Sequence, residues 1–258
     1  MTALRLASFT WPEAAALGER DDVIGLIPTG SLEQHGPHLP LGTDFMAAEA
    51  LADAVAERLS AAVVVTPVLT AGLSEHHLAF PGTVTLPEDA FRSWVDAHIA
   101  ALERIGVRRI AIFSGHGGNF EFIGRLAADY AAQRPDLRVV AYDDILEFLR
   151  VMSDAARNLG ADVPPTDGHA GLLETSFALA RFMPGLVRDF AGVEGYTAAE
   201  EGWMQRMTTD GIDSLSSTGV LGDPAASSAE IGAAIFDALV DELARWIARE
   251  LGIELAAA

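Results

Sequence analysis

VIGLIPTGSLEQHGPHLPLGTDFMAAEALADAVAERLSAAVVVT, residues 23–66, holds a strand–loop–helix–strand unit. Val23–Ile27 is a short apolar run with the length of a buried strand. Asp44–Leu59 has helical periodicity, and Thr43 stands where a cap is expected. Ala62–Thr66 is β-branched and reads as the next strand. Outward from this unit the alternation continues. Thr85 and Glu88 fit a capping box, with Pro87 suited to a first turn, so a helix is expected to about Ile105. Arg109–Phe113 reads as a strand, Phe120–Ala132 as a helix, Leu137–Tyr142 as a strand and Ile145–Leu159 as a helix. Gly171–Phe182 is expected to be helical, and Ser227 with Glu230 forms a second capping-box pattern that opens a long helix to about Leu251. Such alternation points to an α/β fold: a three-layer sandwich with a central, mostly parallel sheet flanked by helices. No repeat or linker divides the chain, so a single domain over residues 1–258 is expected. The stretch from Asp189 to Ala226 has no clear period and is expected to be a long functional loop or an excursion toward a neighbouring subunit.

Composition narrows the function classes. Half of the 258 residues are hydrophobic, enough for a full core. With no cysteine, disulfides, thiolate ligands and a cysteine nucleophile are excluded. Thirty-seven acidic residues against 17 Lys and Arg give a formal charge of −20, which repels phosphate backbones and argues against nucleic acid as a partner. Such a charge favours solubility and also concentrates divalent cations near the surface. The first residues lack a basic segment followed by an apolar run, and no stretch of about 18 apolar residues exists, so a soluble cytoplasmic protein without membrane contact is expected.

Four segments carry the polar chemistry. GSLEQHGPHLPLGTD, residues 30–44, follows a strand, where ligands bind in open α/β sheets. Glu33 and His35 are two apart and face one side in an extended chain, while Asp44 stands at a helix start. Two carboxylates and an imidazole suit Zn²⁺, Mn²⁺ or Fe²⁺. His38 reads as a supporting or surface residue. SGHGGNF, residues 114–120, places His116 among glycines that let a ligand approach the backbone, and Asn119 and the amides at the following helix start could serve an oxyanion. Its other reading is an ordinary glycine-rich turn. DGHAGLLETS, residues 167–176, offers His169 and Glu174 across a helix start, which by itself reads equally as a solvated helix terminus. GLSEHHLAFPGT, residues 72–83, carries Glu75, His76 and His77, which read as a surface loop that could touch substrate. His98 lies in a helix and reads as packing or surface.

Taken in order, GSLEQHGPHLPLGTD, SEHHLAFPGT, SGHGGN, GHAGLLETS and STGVLGDP resemble the motif series of the creatininase (creatinine amidohydrolase) family, spanning about residues 20–245. The resemblance implies an α/β fold, a dinuclear metal centre, hydrolysis of C–N bonds in cyclic or linear amides, and homo-oligomers, often hexamers. It implies Glu33 and His116 as ligands of one metal, His35 as a ligand of the other and Asp44 as the bridge. Creatininase has a carboxylate two residues after its counterpart of His116. Gly118 stands there in this chain, which makes Glu174 the expected replacement. His169 matches a histidine near substrate, so His169 and Glu174 are the expected proton-transfer groups. The family's substrate tryptophans are replaced by Asp143, Asp144 and the PPTDG stretch at residues 164–168, which points away from creatinine. Other branches include a peptidase that trims a peptide-derived redox cofactor and a formamide deformylase. A small amide or short peptide is therefore the expected substrate. Two readings compete: a metal-free nucleotide-binding or regulatory protein, and a pseudoenzyme that keeps its metals for structure.

Overall fold

The structure is a computed structural model that describes residues 3–182 and 185–257. Five strands form one sheet: β1 (Leu4–Arg5), β2 (Val23–Thr29), β3 (Ala62–Val65), β4 (Arg109–Ser114) and β5 (Arg138–Ala141). Their order is β1-β3-β2-β4-β5 and every pairing is parallel. The expected three-layer α/β architecture is present. All seven residues of β2 are buried because both faces of the sheet are covered. Ile24 and Leu26 point into one core with Ala111 and Phe113 of β4. Val23 and Ile27 point into the other with Ile110 and Ile112. The first core is roofed by α2 (Thr43–Glu57), α5 (Ile145–Asn158), α6 (Leu172–Phe177) and α8 (Ala229–Leu251). The second is roofed by α3 (Glu88–Arg104) and α4 (Phe120–Gln133), with Leu17 of α1 (Trp11–Leu17).

This topology positions the site. From β2 the chain crosses through α2 to β3 on one side. From β3 it crosses through α3 to β4 on the other side of β2. The loops leaving β2 and β4 therefore diverge at their carboxyl ends and open a crevice between them.

Several local expectations are corrected. Thr43 is the first residue of α2, not its cap. The cap position is Gly42, and the Thr43 hydroxyl donates to Pro40 O at 2.7 Å. The Thr85–Glu88 box does not form. Pro87 occupies the cap, and the Thr85 hydroxyl accepts from Ser74 N at 2.9 Å, tying the helix entrance to the preceding loop. The cap of α8 is Ser228, whose hydroxyl accepts from Ile231 N, while Ser227 donates to Leu172 O at 3.3 Å. The segment expected to be helical over 171–182 is α6 followed by a π turn, Ala178–Phe182. The region 189–226 is not wholly irregular. It contains α7 (Trp203–Asp210), a short helix with no buried residue whose apolar side chains are confined to Trp203, Met204 and Met207. Among the described residues, no helix is long and apolar enough to cross a membrane.

Helix α6 is held against α8 at Gly232. A Cβ there would lie 1.8 Å from Ser176 O, and that neighbour is backbone. Gly232→Ala is expected to force the helices apart and destabilise the fold by about 1–3 kcal/mol. Thermal unfolding checks this: the midpoint should fall by several degrees, whereas Gly185→Ser, at a position with open space around it and no positive φ, should change it far less.

Candidate metal centre

Three loops and two helix starts build the site. Glu33 and His35 leave the end of β2 in an extended segment that turns at Gly36, where φ is +63°. Both side chains are fully buried, as is Asp44 in the first turn of α2. His116 follows β4 and is also buried. Gly115 permits the approach of this loop to α2, since a Cβ would meet Asp44 O at 2.4 Å. Glu174 enters from the first turn of α6 and His169 from the loop before it.

Asn119 locks these loops together. Its Oδ1 accepts from Leu73 N at 3.0 Å, and its Nδ2 donates to Gly30 O and to Ser114 Oγ, both at 3.1 Å. Its backbone N–H donates to His116 O. With these groups committed, Asn119 is a brace rather than the oxyanion donor expected from the sequence.

Three imidazoles share one arrangement. His35 Nδ1 donates to Glu33 O at 3.1 Å, His116 Nε2 to Leu73 O at 3.0 Å, and His169 Nε2 to Gln34 O at 2.8 Å. A carbonyl only accepts, so His35 Nδ1 and His116 Nε2 carry the proton; His169 Nε2 also lies 2.9 Å from the Gln34 side-chain nitrogen, and the shorter contact with Gln34 O places the proton on it as well. The second nitrogen of each ring then faces carboxylates. His35 Nε2 lies 3.0 Å from Asp44 Oδ1 and 3.7 Å from Glu174 Oε2. His116 Nδ1 lies 3.1 Å from Glu33 Oε1 and 3.3 Å from Asp44 Oδ2. His169 Nδ1 is 3.8 Å from Glu33 Oε1 and 4.0 Å from Glu174 Oε2. A neutral ring would set a lone pair against an anion at each of these contacts. A cation between them, whether a proton or a metal ion, removes that repulsion.

The oxygens point the same way. Glu33 Oε2 and Asp44 Oδ2 are buried without a hydrogen-bond partner, a costly state for carboxylates unless a cation compensates it. Burial opposes charge on His35, but the carboxylates of Asp44, Glu174 and Glu33 outweigh it and raise its pKa to about 10. His116 is raised in the same way, burial being outweighed by Glu33 and Asp44. Asp44 is held below the usual carboxylate range: burial opposes its charge, and His35 and His116 overcome it. Burial lifts Glu174 to about 7. Burial and the nearby His35 charge push His169 well down, which keeps it neutral.

The donor set fits metal ions. Glu33, His35 and Asp44 converge on one point, His35, His169 and Glu174 on a second, and Glu33, His77 and His169 on a third. Tetrahedral bonds of 2.0–2.1 Å place neighbouring ligand atoms about 3.3–3.4 Å apart, the spacing range of the contacts above. Ring N–H groups donating to backbone carbonyls are the usual support of ligating histidines. Gly118 cannot contribute. A Cβ there would lie 2.3 Å from Leu73 O and 2.5 Å from His116 Nε2, so no side chain fits without moving the loop that fixes His116. Glu174 instead stands on the His35 side.

The sequence reading is corrected at His77 and narrowed to the supporting role at His38. His77 is not on the surface. It is buried, with Nδ1 accepting from Gln34 Nε2 at 2.9 Å and Nε2 3.2 Å from Glu33 Oε1. His38 is fully buried as well and meets Thr175 Oγ1 at 2.8 Å. Gln34 also belongs to the site: its amide nitrogen lies 2.9 Å from His77 Nδ1, 2.9 Å from His169 Nε2 and 3.1 Å from Gly219 O, while its Oε1 accepts from Gly36 N. Its signal was position alone, between Glu33 and His35. Glu75 is exposed, and His76 is half-buried with its ring stacked on His116 at 5.8 Å. His98 stacks on Trp94 at 3.7 Å, a packing role.

Comparison with known proteins places this geometry. The model of the Creatininase family (creatinine amidohydrolase) matches residues 7–247. The chain belongs to the creatininase family. The mycofactocin precursor peptide peptidase of Mycolicibacterium smegmatis is 35% identical over 229 residues, 86% of this chain and 84% of that protein. The creatinine amidohydrolase of Pseudomonas putida is 31% identical over 199 residues, 70% of this chain and 73% of that protein. A solved mutant creatininase of the Zn-Zn type superposes with a TM-score of 0.77 at 26% identity, over 97% of this chain and 99% of that one. Family and fold thus agree with the motif series.

The raised imidazoles set a pH test for the metal-free protein. A histidine whose folded pKa exceeds its unfolded value stabilises the fold fully below about pH 6.5 and loses that contribution as pH rises through the folded pKa. For His35 the window runs from there to about 10. Glu174, raised to about 7, acts in the same direction over a lower window. Denaturant midpoints of chelated protein should therefore fall from pH 6 to pH 9.5, and zinc should flatten the curve.

Proposed function

We propose that this creatininase-family chain is a metal-dependent amide hydrolase acting on a peptide or peptide-like amide. The observation that carries the reading is the set of three imidazoles, each with one nitrogen committed to a carbonyl and the other turned onto buried carboxylates. Glu33, His116 and Asp44 Oδ2 would hold one divalent ion; His35, Asp44 Oδ1 and Glu174 would hold the second, with Asp44 shared. The donor set suits Zn²⁺, Mn²⁺ or Fe²⁺. Bound there, the ions supply a water acidified toward neutral pH and a Lewis acid for the scissile carbonyl.

The chain's own residues do the rest. His169 is fixed by Gln34 O at Nε2, so Nδ1 is the atom that takes and gives a proton, and it faces the carboxylates where the reaction is centred. Glu174 accepts from Ala170 N at 2.6 Å, which aims Oε2 toward His35 and His169. Gln34 keeps His77 oriented, and His77 in turn lies against Glu33. Burial of Glu33, His35 and Asp44 excludes water other than the reacting one and strengthens each charge interaction.

The peptide substrate is supported by the coverage of the peptide peptidase relative, 86% of this chain against 70% for the creatinine amidohydrolase. A small cyclic amide is the second reading, favoured by the latter similarity. A nucleotide-binding role for SGHGGN has no support, because His116 and Asn119 are committed to the site and its bracing.

Three outcomes are expected from metal-reconstituted protein screened against short peptides, lactams and formamides. Cleavage should be lost on chelation and restored by zinc or manganese. Asp44→Ala should lose tight binding of at least one ion by elemental analysis; two retained equivalents would contradict the shared role. His169→Ala should keep its metal and lose about 10²–10⁴-fold in kcat.

A further inference from the structure

Beside the metal centre lies a cavity of about 50 Å³ that the chemistry above does not use. Its wall includes the carboxylates Asp44 and Glu174 and the glycines Gly115, Gly117 and Gly168. The remainder is apolar and comes from four helices: Leu51 on α2, Phe120 on α4, Phe148 and Met152 on α5, and Phe177 on α6. These five side chains are buried, whereas Ile145 and Leu149, also on the wall, are half-buried and form its exposed rim. Among the described residues, no Lys or Arg lines it.

The glycines show that the space is real. A Cβ on Gly117 would meet only Ile145 Cδ1, at 3.9 Å, and one on Gly168 only the Leu149 methyls, at 3.7 Å. At Gly115, by contrast, the backbone is packed against α2. Open space is thus confined to the side of the centre that faces α5.

We propose that this cavity is a specificity pocket that receives a branched aliphatic side chain, of the size of valine or leucine, from the substrate residue next to the scissile bond. The proposal rests on the amide-hydrolase reading of the adjoining centre. Size supports it: one water-sized group needs about 10–15 Å³ by this measure, so the pocket holds about four carbon-sized groups, the bulk of an isobutyl. A phenyl or indole ring exceeds it. Charge supports it too. In the metal-free protein the Asp44 and Glu174 carboxylates repel a carboxylate side chain, and with ions held there the rest of the wall, Leu51, Phe120, Phe148, Met152 and Phe177, offers a charged group no partner. Placement supports it last: a side chain seated between the apolar helices and the two carboxylates sets the backbone amide of the same residue beside the reacting atoms. Binding energy gained away from the reacting bond thereby fixes its position.

Two measurements test it. In the first, the metal-free protein is titrated calorimetrically with isovaleramide, acetamide and succinamate. Isovaleramide should bind at least about tenfold tighter than acetamide, in keeping with three added carbons, and succinamate should not bind. Ala47→Leu, which projects into the cavity from α2, should abolish the preference while thermal midpoint and zinc content stay near wild type. In the second, metal-loaded enzyme is assayed on peptides that vary only at the residues flanking the cleaved bond. Valine or leucine at one flank should exceed alanine and aspartate by about tenfold in kcat/KM, and Met152→Ala should move the optimum toward phenylalanine. Equal affinity for isovaleramide and acetamide, or cleavage indifferent to both flanking residues, would overturn the pocket and leave the hydrolase reading intact. Selective isovaleramide binding with no amide cleaved would leave the pocket standing and overturn the hydrolase reading.

Discussion

The commitment of one ring nitrogen of His35, His116 and His169 to backbone carbonyls is the constraint on which the site depends. It decides which nitrogen is left, and the left nitrogen faces Glu33, Asp44 or Glu174. Without a cation the arrangement sets lone pairs and anions together in a dry cleft, where such repulsion is poorly screened. A fold that buries this cluster must either bind protons or bind metal. The high proton affinity of His35 and His116 and the partnerless oxygens of Glu33 and Asp44 are two expressions of that one requirement.

The carbonyls are supplied by loops, and the loops are held by the sheet. Leu73 O, which fixes His116, belongs to the segment after β3 and is kept in place by Asn119 from the loop after β4. Gln34 O, which fixes His169, belongs to the segment after β2. The switch in crossover direction around β2 makes these loops neighbours. Gly115 and Gly118 then allow backbone contacts that any side chain would block. The absence of a carboxylate at Gly118 is therefore a steric consequence of how this chain packs Leu73 against His116. Glu174, carried on a helix pressed to α8 at Gly232, stands on the side left open.

Much of this was legible in the sequence, for identifiable reasons. Strands β2 to β5 and helices α2 to α5 announce themselves by apolar period, and the acidic and imidazole residues of the 30–44 loop stand out against the prolines and glycines around them. Motif resemblance supplied Glu33, His35, Asp44, His116, His169 and Glu174 as a group, and the structure brings all six together. What was not legible depends on partners distant in the chain. His77 reads as surface because its neighbours are polar and its loop lies next to Pro81-Gly82; only its contacts with Gln34 and Glu33 show it to be inside. His38 is hidden for the same reason, its partner Thr175 being 137 residues away. Capping boxes at Thr85 and Ser227 satisfy the local pattern, yet both hydroxyls are drawn to tertiary partners instead. Helix α7 is short and no residue of it is buried, so the spacing of Trp203, Met204 and Met207 is the one sequence mark it carries.

Anomalous scattering at the zinc edge from crystals of the zinc-saturated protein tests the central claim most directly. The expected result is two peaks, one on each side of the Asp44 carboxylate, the first bonded to Glu33 and His116 and the second to His35 and Glu174. Saturated crystals with no peak among these residues would contradict it.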